Sequence, residues 1–388
     1  MTEMSRRYDV VVFGATGFTG AKTAEYLARA APPDLRWAIA GRSQEKLEAT
    51  KARLVSIDGR SRDVGTIAAS VDDPESLARM AAQTRVLLTT VGPFIDYGEP
   101  VVRACVEQGA DYVDSTGEPH FVQLVLARYG EEAARRKVRI VSSCGFDSIP
   151  ADLGALFTVS QLPSTRPIRL SGYMKLQGVF SGGTERSAIK ALAPPRETMA
   201  ARTPSPTAGR RVRLESAKVR RRADLGGWAA PLPTIDASIV LRSAAAIERY
   251  GPDFSYTHHV IHPTLAGLVG AYCVFGSLAF LVRFAPMRAL LLKLVKKSGV
   301  GPTEAQMRRS WFKLRFVAEC DGKILQTEVS GGDPGYGETS KMLAESALCL
   351  VRDRESLPVR AGVLTPAEAM GEALLGRLQR AGLCFRVL

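Results

Sequence analysis

Short apolar runs alternate with amphipathic stretches along the first 150 residues. Tyr8–Phe13, Trp37–Ala40, Val64–Ala68, Val86–Val91, Tyr112–Asp114 and Val138–Ser142 predict strands. Between them, Gly17–Ala30 sets Ala24, Leu27 and Ala28 on one helical face. Ser43 is placed to cap a second helix running through Leu47 to Leu54. Pro74–Ala82, Pro100–Gln108 and Phe121–Arg136 complete the helical stretches. Strand–helix alternation of this kind predicts a parallel sheet with helices on both faces.

After Pro150 the rhythm changes. Residues 194–234 are rich in Pro, Arg and Gly and read as a long loop or partly ordered insertion. Ile235–Leu241 and Trp311–Glu319 predict strands, so this half reads as α+β. His262–Val282 carries no charge apart from the histidine, and Arg283–Lys297 follows, apolar with five basic residues. Gly337–Leu350 and Pro366–Gln379 predict closing helices. The expected organisation is a first domain over 1–150 and a second over 151–335, with a basic loop at 194–234 and an apolar segment at 260–297. Helices in 336–388 then pack back on the first domain.

Charge divides along the same line. The chain of 388 residues has a net charge of +13. Residues 1–150 hold 19 basic and 20 acidic side chains, against 33 and 19 in the remainder, so the excess belongs to the second half. It concentrates in 196–222, with nine basic and two acidic residues, and in 283–315, with nine and one. Such an excess suits nucleic acid or an anionic surface. The basic loop has little aromatic interleaving and no nucleic-acid motif, which sets nucleic acid aside. The six cysteines form no CxxC pair and the four histidines have no zinc spacing, so neither a disulfide framework nor a metal site is expected. The opening MTEMSRRYDVVVFGATG is not patterned as a signal peptide, and the expected location is cytoplasmic.

The candidate chemistry begins at VVVFGATGFTG, where Gly14, Gly17 and Gly20 follow a strand and open a helix. A dinucleotide needs a tight turn, close backbone approach to its pyrophosphate and close helix–strand packing, with the phosphate at the helix N-terminus. Gly14, Ala15, Thr16, Gly17, Phe18 and Gly20 are therefore cofactor candidates in a doubly wound Rossmann sheet. An acid at the end of the second strand would bind the ribose hydroxyls of NAD; Gly41-Arg42-Ser43 stands there instead. A guanidinium and a hydroxyl suit a 2′-phosphate, so Arg42 and Ser43 point to NADP. Asp72 either approaches the adenine or belongs to a plain helix cap in Asp72-Asp73-Pro74. Val91 and Gly92, after the fourth strand, are placed for the ribose and nicotinamide side, with Tyr97 next along the chain.

GATGFTG, AGRSQEKL, TTVGPFIDYGEPVVRAC, DSTGEP and CGFDSIPADLG resemble the saccharopine dehydrogenase-like oxidoreductases, closest to the group that includes trans-acting enoyl reductases. The resemblance covers nearly the whole chain. It implies an NADP-binding Rossmann domain, an α+β substrate domain and hydride transfer. It also implies a lipid or polyketide-type acyl substrate, carrier-bound and delivered by a polyketide synthase partner. The alternatives are reduction of an amino-acid-derived imine, or a lipid-surface protein that keeps NADP without catalysis. None of the ten tyrosines has Lys four positions on, so no Tyr–Lys relay of the short-chain dehydrogenase kind is expected.

Enoyl reduction needs a proton as well as a hydride. Tyr97, Glu118, Cys144, Asp147 and Ser148 fall where the strands end, and Tyr97 and Asp147 are the catalytic candidates. Asp147 is either an acid or the cap of the helix after Pro150. Tyr336 and Lys341, in GGDPGYGETSKM, either bind an anion or belong to an ordinary turn. The apolar run suits the interface of an anionic membrane, on the inner face of the plasma membrane, or a buried helix, a homodimer contact or a span.

Overall fold

The computed structural model describes residues 6–178, 209–294 and 301–388, together with Arg186 and Ile189. Six strands of the first sheet come from the first half: β1 (Tyr8–Phe13), β2 (Trp37–Gly41), β3 (Gly65–Ala68), β4 (Thr84–Thr89), β5 (Asp111–Asp114) and β6 (Arg139–Val141). They lie in the order 3-2-1-4-5-6 and pair in parallel. A seventh strand, Gly362–Leu364, returns from the far end of the chain to pair in parallel with β6. Valines of β1 show why the run is apolar throughout. Val10 and Val12 face one core, Val11 and Phe13 the other, so neither side of the strand meets water. The strand order reverses between β1 and β4, and ligands bind such sheets in the crevice at that point, beyond the carboxyl ends.

The intervening helices are α1 (Phe18–Ala30), α2 (Gln44–Ile57), α3 (Pro74–Ala82), α4 (Phe94–Gln108), α5 (Pro119–Arg135) and α6 (Ile149–Val159). α4 departs from expectation, because it begins at Phe94 and keeps Pro100 inside it. Its first N–H groups find an acceptor outside the helix. Glu118, from the loop before α5, accepts from the N–H of Phe94 at 3.0 Å and of Ile95 at 2.9 Å. A carboxylate there also meets the positive end of the helix dipole.

A mixed eight-stranded sheet forms the second layer. Its central strands Ile168–Gln177 and Asp253–His262 are parallel, and Trp311–Cys320 runs antiparallel to the first. Leu170, Met174, Tyr256, Leu314 and Phe316 join α6 and β1 in one continuous core. Helix Gly337–Arg352 belongs to that core and lies along α1. The Ser340 hydroxyl donates to Thr19 O at 3.4 Å and the Tyr26 hydroxyl to Glu345 Oε1 at 2.7 Å.

Three expectations are corrected. Ile235–Leu241 is not a strand; Asp236–Ala246 is a helix. Burial at Ile239, Val240, Ser243 and Ala244 follows helical spacing, and the alanines beyond favour the helix over the local Ile-Val pair. The described part of the basic stretch is a partly ordered insertion rather than one long loop: Arg211–Leu214, Arg220–Arg222 and Gly227–Pro231 are strands of the second sheet, joined by short connections. Residues 194–208 lie outside the described residues. Finally, the apolar segment is not a buried helix of this chain. It forms two helices, Leu265–Leu281 and Ala285–Leu294, set at 120°, and Leu268 is the buried residue of the pair. Among the described residues no single helix is long and apolar enough to cross a membrane. Lys296 and Lys297 lie outside the described residues.

Candidate active site

The three glycines of the turn are required for different reasons. Gly14 has φ +89°, and a Cβ there would sit 2.8 Å from both Thr90 Oγ1 and Val91 Cγ2. A Cβ on Gly20 would lie 2.2 Å from the carbonyl oxygen of Gly14. Those two positions let α1 cross close to the ends of β1 and β4. Gly17 differs. It is the exposed N-cap of α1, makes no side-chain cap, and its Cβ would meet only Gly14 O at 3.3 Å. The chain itself leaves room above Gly17, where a pyrophosphate would approach the leading N–H groups of Phe18, Thr19 and Gly20. Ala15 is buried behind the turn and Thr16 is exposed, its side chain beside Gly41 at the end of β2.

Arg42 follows directly and is exposed. Ser43 caps α2, its hydroxyl accepting from Lys46 N at 3.3 Å, which leaves its proton available to a phosphate oxygen. Both residues directly follow Gly41, which Thr16 flanks, and are the residues that would hold the 2′-phosphate of NADP. At the end of β3 the cap is made by Asp73, which accepts from Ser76 N at 3.1 Å; Asp72 is exposed beside it. Val91 packs on Gly14, its N–H donating to Thr89 Oγ1 at 3.2 Å, and a cis peptide joins Gly92 to Pro93. Tyr97 lies in the first turn of α4, 40% exposed.

Asp147 sits in the loop that leaves β6. Its carboxylate is wedged between two glycines: Cβ atoms on Gly117 and Gly145 would each come within 2.9 Å of one of its oxygens. Asp114 holds this loop in place. One of its oxygens accepts from Thr116 N and Ser143 N, both at 2.9 Å, and the other from the Ser142 hydroxyl at 3.1 Å. Asp147 is not a helix cap. Ser148 holds the cap position of α6 and its hydroxyl turns back to Ser143 O at 2.7 Å. Burial pushes the Asp147 carboxyl up to about 7, with further upward pressure from Asp236, Asp114 and Glu118.

Three other candidates take structural roles. Cys144 is buried and its thiol is pushed well up by burial, which removes it as a thiolate nucleophile. Tyr336 is buried edge-on against Phe18, with ring centres 4.8 Å apart, and Lys341 pairs with Glu338 at 2.8 Å. The loop before helix Gly337–Arg352 is thus a turn that braces the cofactor loop. The first turn of that helix also reaches the Asp147 loop, since Thr339 Oγ1 accepts from Phe146 N at 3.1 Å. Gly301 also approaches Phe18, where a Cβ would lie 2.4 Å from the ring.

One group was not anticipated from the sequence. Asp236 opens helix Asp236–Ala246, whose Ile239 packs with Ile235 on Val122 of α5, and its charge acts on Asp147. Asp236 Oδ2 lies 3.8 Å from Nε2 of His258, and Nδ1 of the same ring is 2.8 Å from the Tyr256 hydroxyl. Burial pushes Asp236 up to about 7 and His258 down to about 4, so the pair is not an ion pair at neutral pH. Asp236 Oδ1 and His258 Nε2 are buried without a hydrogen-bond partner among the described residues. The available signal was three of the four histidines within Asp253–His262.

Residues 10–141 match the family model for the saccharopine dehydrogenase NADP-binding domain. A Mycobacterium tuberculosis protein whose name is that of a trans-acting enoyl reductase is 37% identical over all of this chain and 99% of its own. Human saccharopine dehydrogenase-like oxidoreductase is 33% identical over 100% of this chain and 99% of its own. Yeast saccharopine dehydrogenase (L-Glu forming) shares the fold at a TM-score of 0.56 and 13% identity, covering 98% of this chain and 100% of that one. The crevice residues fit the cofactor that the matched domain names, NADP. The chain belongs to the saccharopine dehydrogenase-like, NADP-dependent oxidoreductases.

Proposed function

We propose that this protein is an enoyl reductase for a carrier-bound lipid or polyketide-type acyl chain, with Asp147 as the proton donor. Relatives named as trans-acting enoyl reductases at 37% and 31% identity supply the reaction class. The observation that carries the reading is Asp147 itself: a carboxylic acid at the carboxyl ends of the strands, wedged between Gly117 and Gly145, with its pKa pushed up.

Bound NADPH supplies a hydride for the β-carbon of the double bond. The residues of the chain do the rest. Phe18, Thr19 and Gly20 would hold the pyrophosphate through their N–H groups, Arg42 and Ser43 would hold the 2′-phosphate, and Asp72 is the candidate for the adenine side. Val91 and Gly92 would line the ribose and nicotinamide side. Asp147 gives its proton to the α-carbon and becomes the carboxylate, so the saturated thioester forms with one hydride and one proton gained. Gly117 and Gly145 keep the carboxyl in one orientation. A positioned acid of this kind contributes about 10²–10⁴-fold.

The test is NADPH oxidation with a panel of enoyl thioesters, set against an α-keto acid plus amine. Turnover of the thioesters, reduced about 100-fold or more in Asp147→Asn, supports the reading. Turnover of only the keto acid and amine overturns it. Tyr97 is the second donor candidate, and a comparable loss in Tyr97→Phe with Asp147→Asn unaffected transfers the role to the phenol.

A further inference from the structure

We propose that the bent helix pair Leu265–Leu281 and Ala285–Leu294 seats this protein on an anionic lipid surface. The proposal goes beyond the catalytic reading and does not rest on the substrate assigned there.

Exposure comes first. Every residue from Val269 to Ser277 is exposed, about two and a half turns of helix, with Tyr272 tethered to the sheet through its hydroxyl. Val274 is 71% exposed and Phe280 60%. Val269, Phe275, Phe284, Leu290 and Leu294 are exposed as well. Leu265 and Val274 lie on opposite sides of the same helix, and both are exposed. A helix that packs on one protein partner needs one apolar stripe; one apolar all round belongs in a core or in lipid. Contiguous exposed apolar surface of this extent marks an interaction site.

Charge then selects the occupant. No Asp or Glu occurs from residue 254 to residue 303, whereas Arg283, Arg288 and Lys293 lie at the bend and along the second helix. A second copy of this chain, packed through the same surface, would put both sets of these cations into one interface with no acidic residue of this segment to pair with them. Anionic headgroups neutralise them, and long basic side chains reach headgroups while their stems stay in apolar surroundings. The first helix has 17 residues, about 25 Å, short of the roughly 30 Å hydrocarbon core, and the 120° bend follows it. The pair is therefore built to lie in one interface of the bilayer. The sheet behind it anchors the hairpin, since Tyr272 donates from its hydroxyl to Pro231 O.

Vesicle flotation of the full chain tests this, with phosphatidylcholine–phosphatidylglycerol vesicles against phosphatidylcholine alone and NADPH titration as the folding control. The wild type is expected to float with the anionic vesicles, less with the neutral ones, and less at high salt. Val274→Asp with Phe275→Asp should lower the floated fraction about tenfold with NADPH binding unchanged. Arg283→Glu with Lys293→Glu should remove the preference for anionic lipid. Wild-type protein that binds NADPH but stays at the bottom of the anionic gradient overturns the proposal. So does undiminished flotation of the Val274→Asp, Phe275→Asp protein. A dimer by light scattering that this variant splits, without vesicle binding, assigns the surface to a second copy instead.

Discussion

Asp236 Oδ2 lies 3.8 Å from His258 Nε2, and the two groups stay in contact without the charges of an ion pair. The consequence falls on Asp147, because the carboxylate form of Asp236 adds to the upward pressure on its carboxyl. Removing that charge should make Asp147 a stronger acid. In Asp236→Asn the alkaline limb of the kcat/KM profile is expected to move down by roughly half a unit to one unit. A pH–rate series on an accepted substrate measures it. An unmoved limb would separate Asp236 from the proton donor and leave it a purely structural group.

The same aspartate links folding to pH. Burial raises its carboxyl to about 7, against about 3.9 in an unfolded chain. The folded protein therefore holds this proton more tightly than the unfolded chain does. The resulting stability is fully present below about pH 4 and is lost as pH rises through 7. The gap of about three units corresponds to no more than roughly 4 kcal/mol. Asp236→Asn carries no charge to lose, so it should be more stable than wild type at pH 8 by about 1–3 kcal/mol, with the difference closing near pH 4. Urea unfolding at the two pH values is the measurement, and an equal difference at both would refute the linkage.

What could be read from the sequence depended on how local its cause was. β1 is legible because both of its faces are buried, so Val10, Val11 and Val12 form an unbroken run. The glycine turn is legible because its constraints lie within a few residues. The start of α4 is not, since its N–H groups are satisfied by Glu118 from 24 residues along. The contact between Asp236 and His258 escaped for the same reason, compounded by an Ile-Val pair that imitates a strand. Asp147 was visible as a candidate, but only the tertiary contacts separate an acid wedged between Gly117 and Gly145 from a helix cap. The apolar run at 264–282 was equally visible, yet whether other parts of the chain cover it is a property of the fold.

Arg42 should decide between the two nicotinamide cofactors. It is exposed beyond β2 and next to the Ser43 cap, where a phosphate would gain one charge-assisted partner and one hydroxyl. Such a charged hydrogen bond contributes about 1.5–3 kcal/mol. Arg42→Glu should therefore weaken NADPH binding by roughly ten- to a hundredfold and more, through loss and repulsion together, and leave NADH nearly unchanged. Fluorescence titration with both cofactors gives the ratio. Equal losses would remove Arg42 from the 2′-phosphate site.

Gly17 and Gly20 make the last contrast, because one is held by the protein and the other by its ligand. A methyl group at residue 20 would sit 2.2 Å from Gly14 O, a backbone atom that cannot move aside without shifting the turn. Gly20→Ala should lower the unfolding free energy by about 1–3 kcal/mol even without cofactor. At residue 17 the nearest atom is Gly14 O at 3.3 Å and the position is exposed, so Gly17→Ala should leave the cofactor-free protein within about 0.5 kcal/mol of wild type. Its methyl group nevertheless projects where the pyrophosphate must approach the N-terminus of α1, and NADPH affinity should fall at least about tenfold. Melting curves with and without NADPH separate the cases: Gly17→Ala loses the cofactor-induced gain in Tm, whereas Gly20→Ala starts lower. If Gly17→Ala keeps the full gain, the pyrophosphate does not lie over this turn.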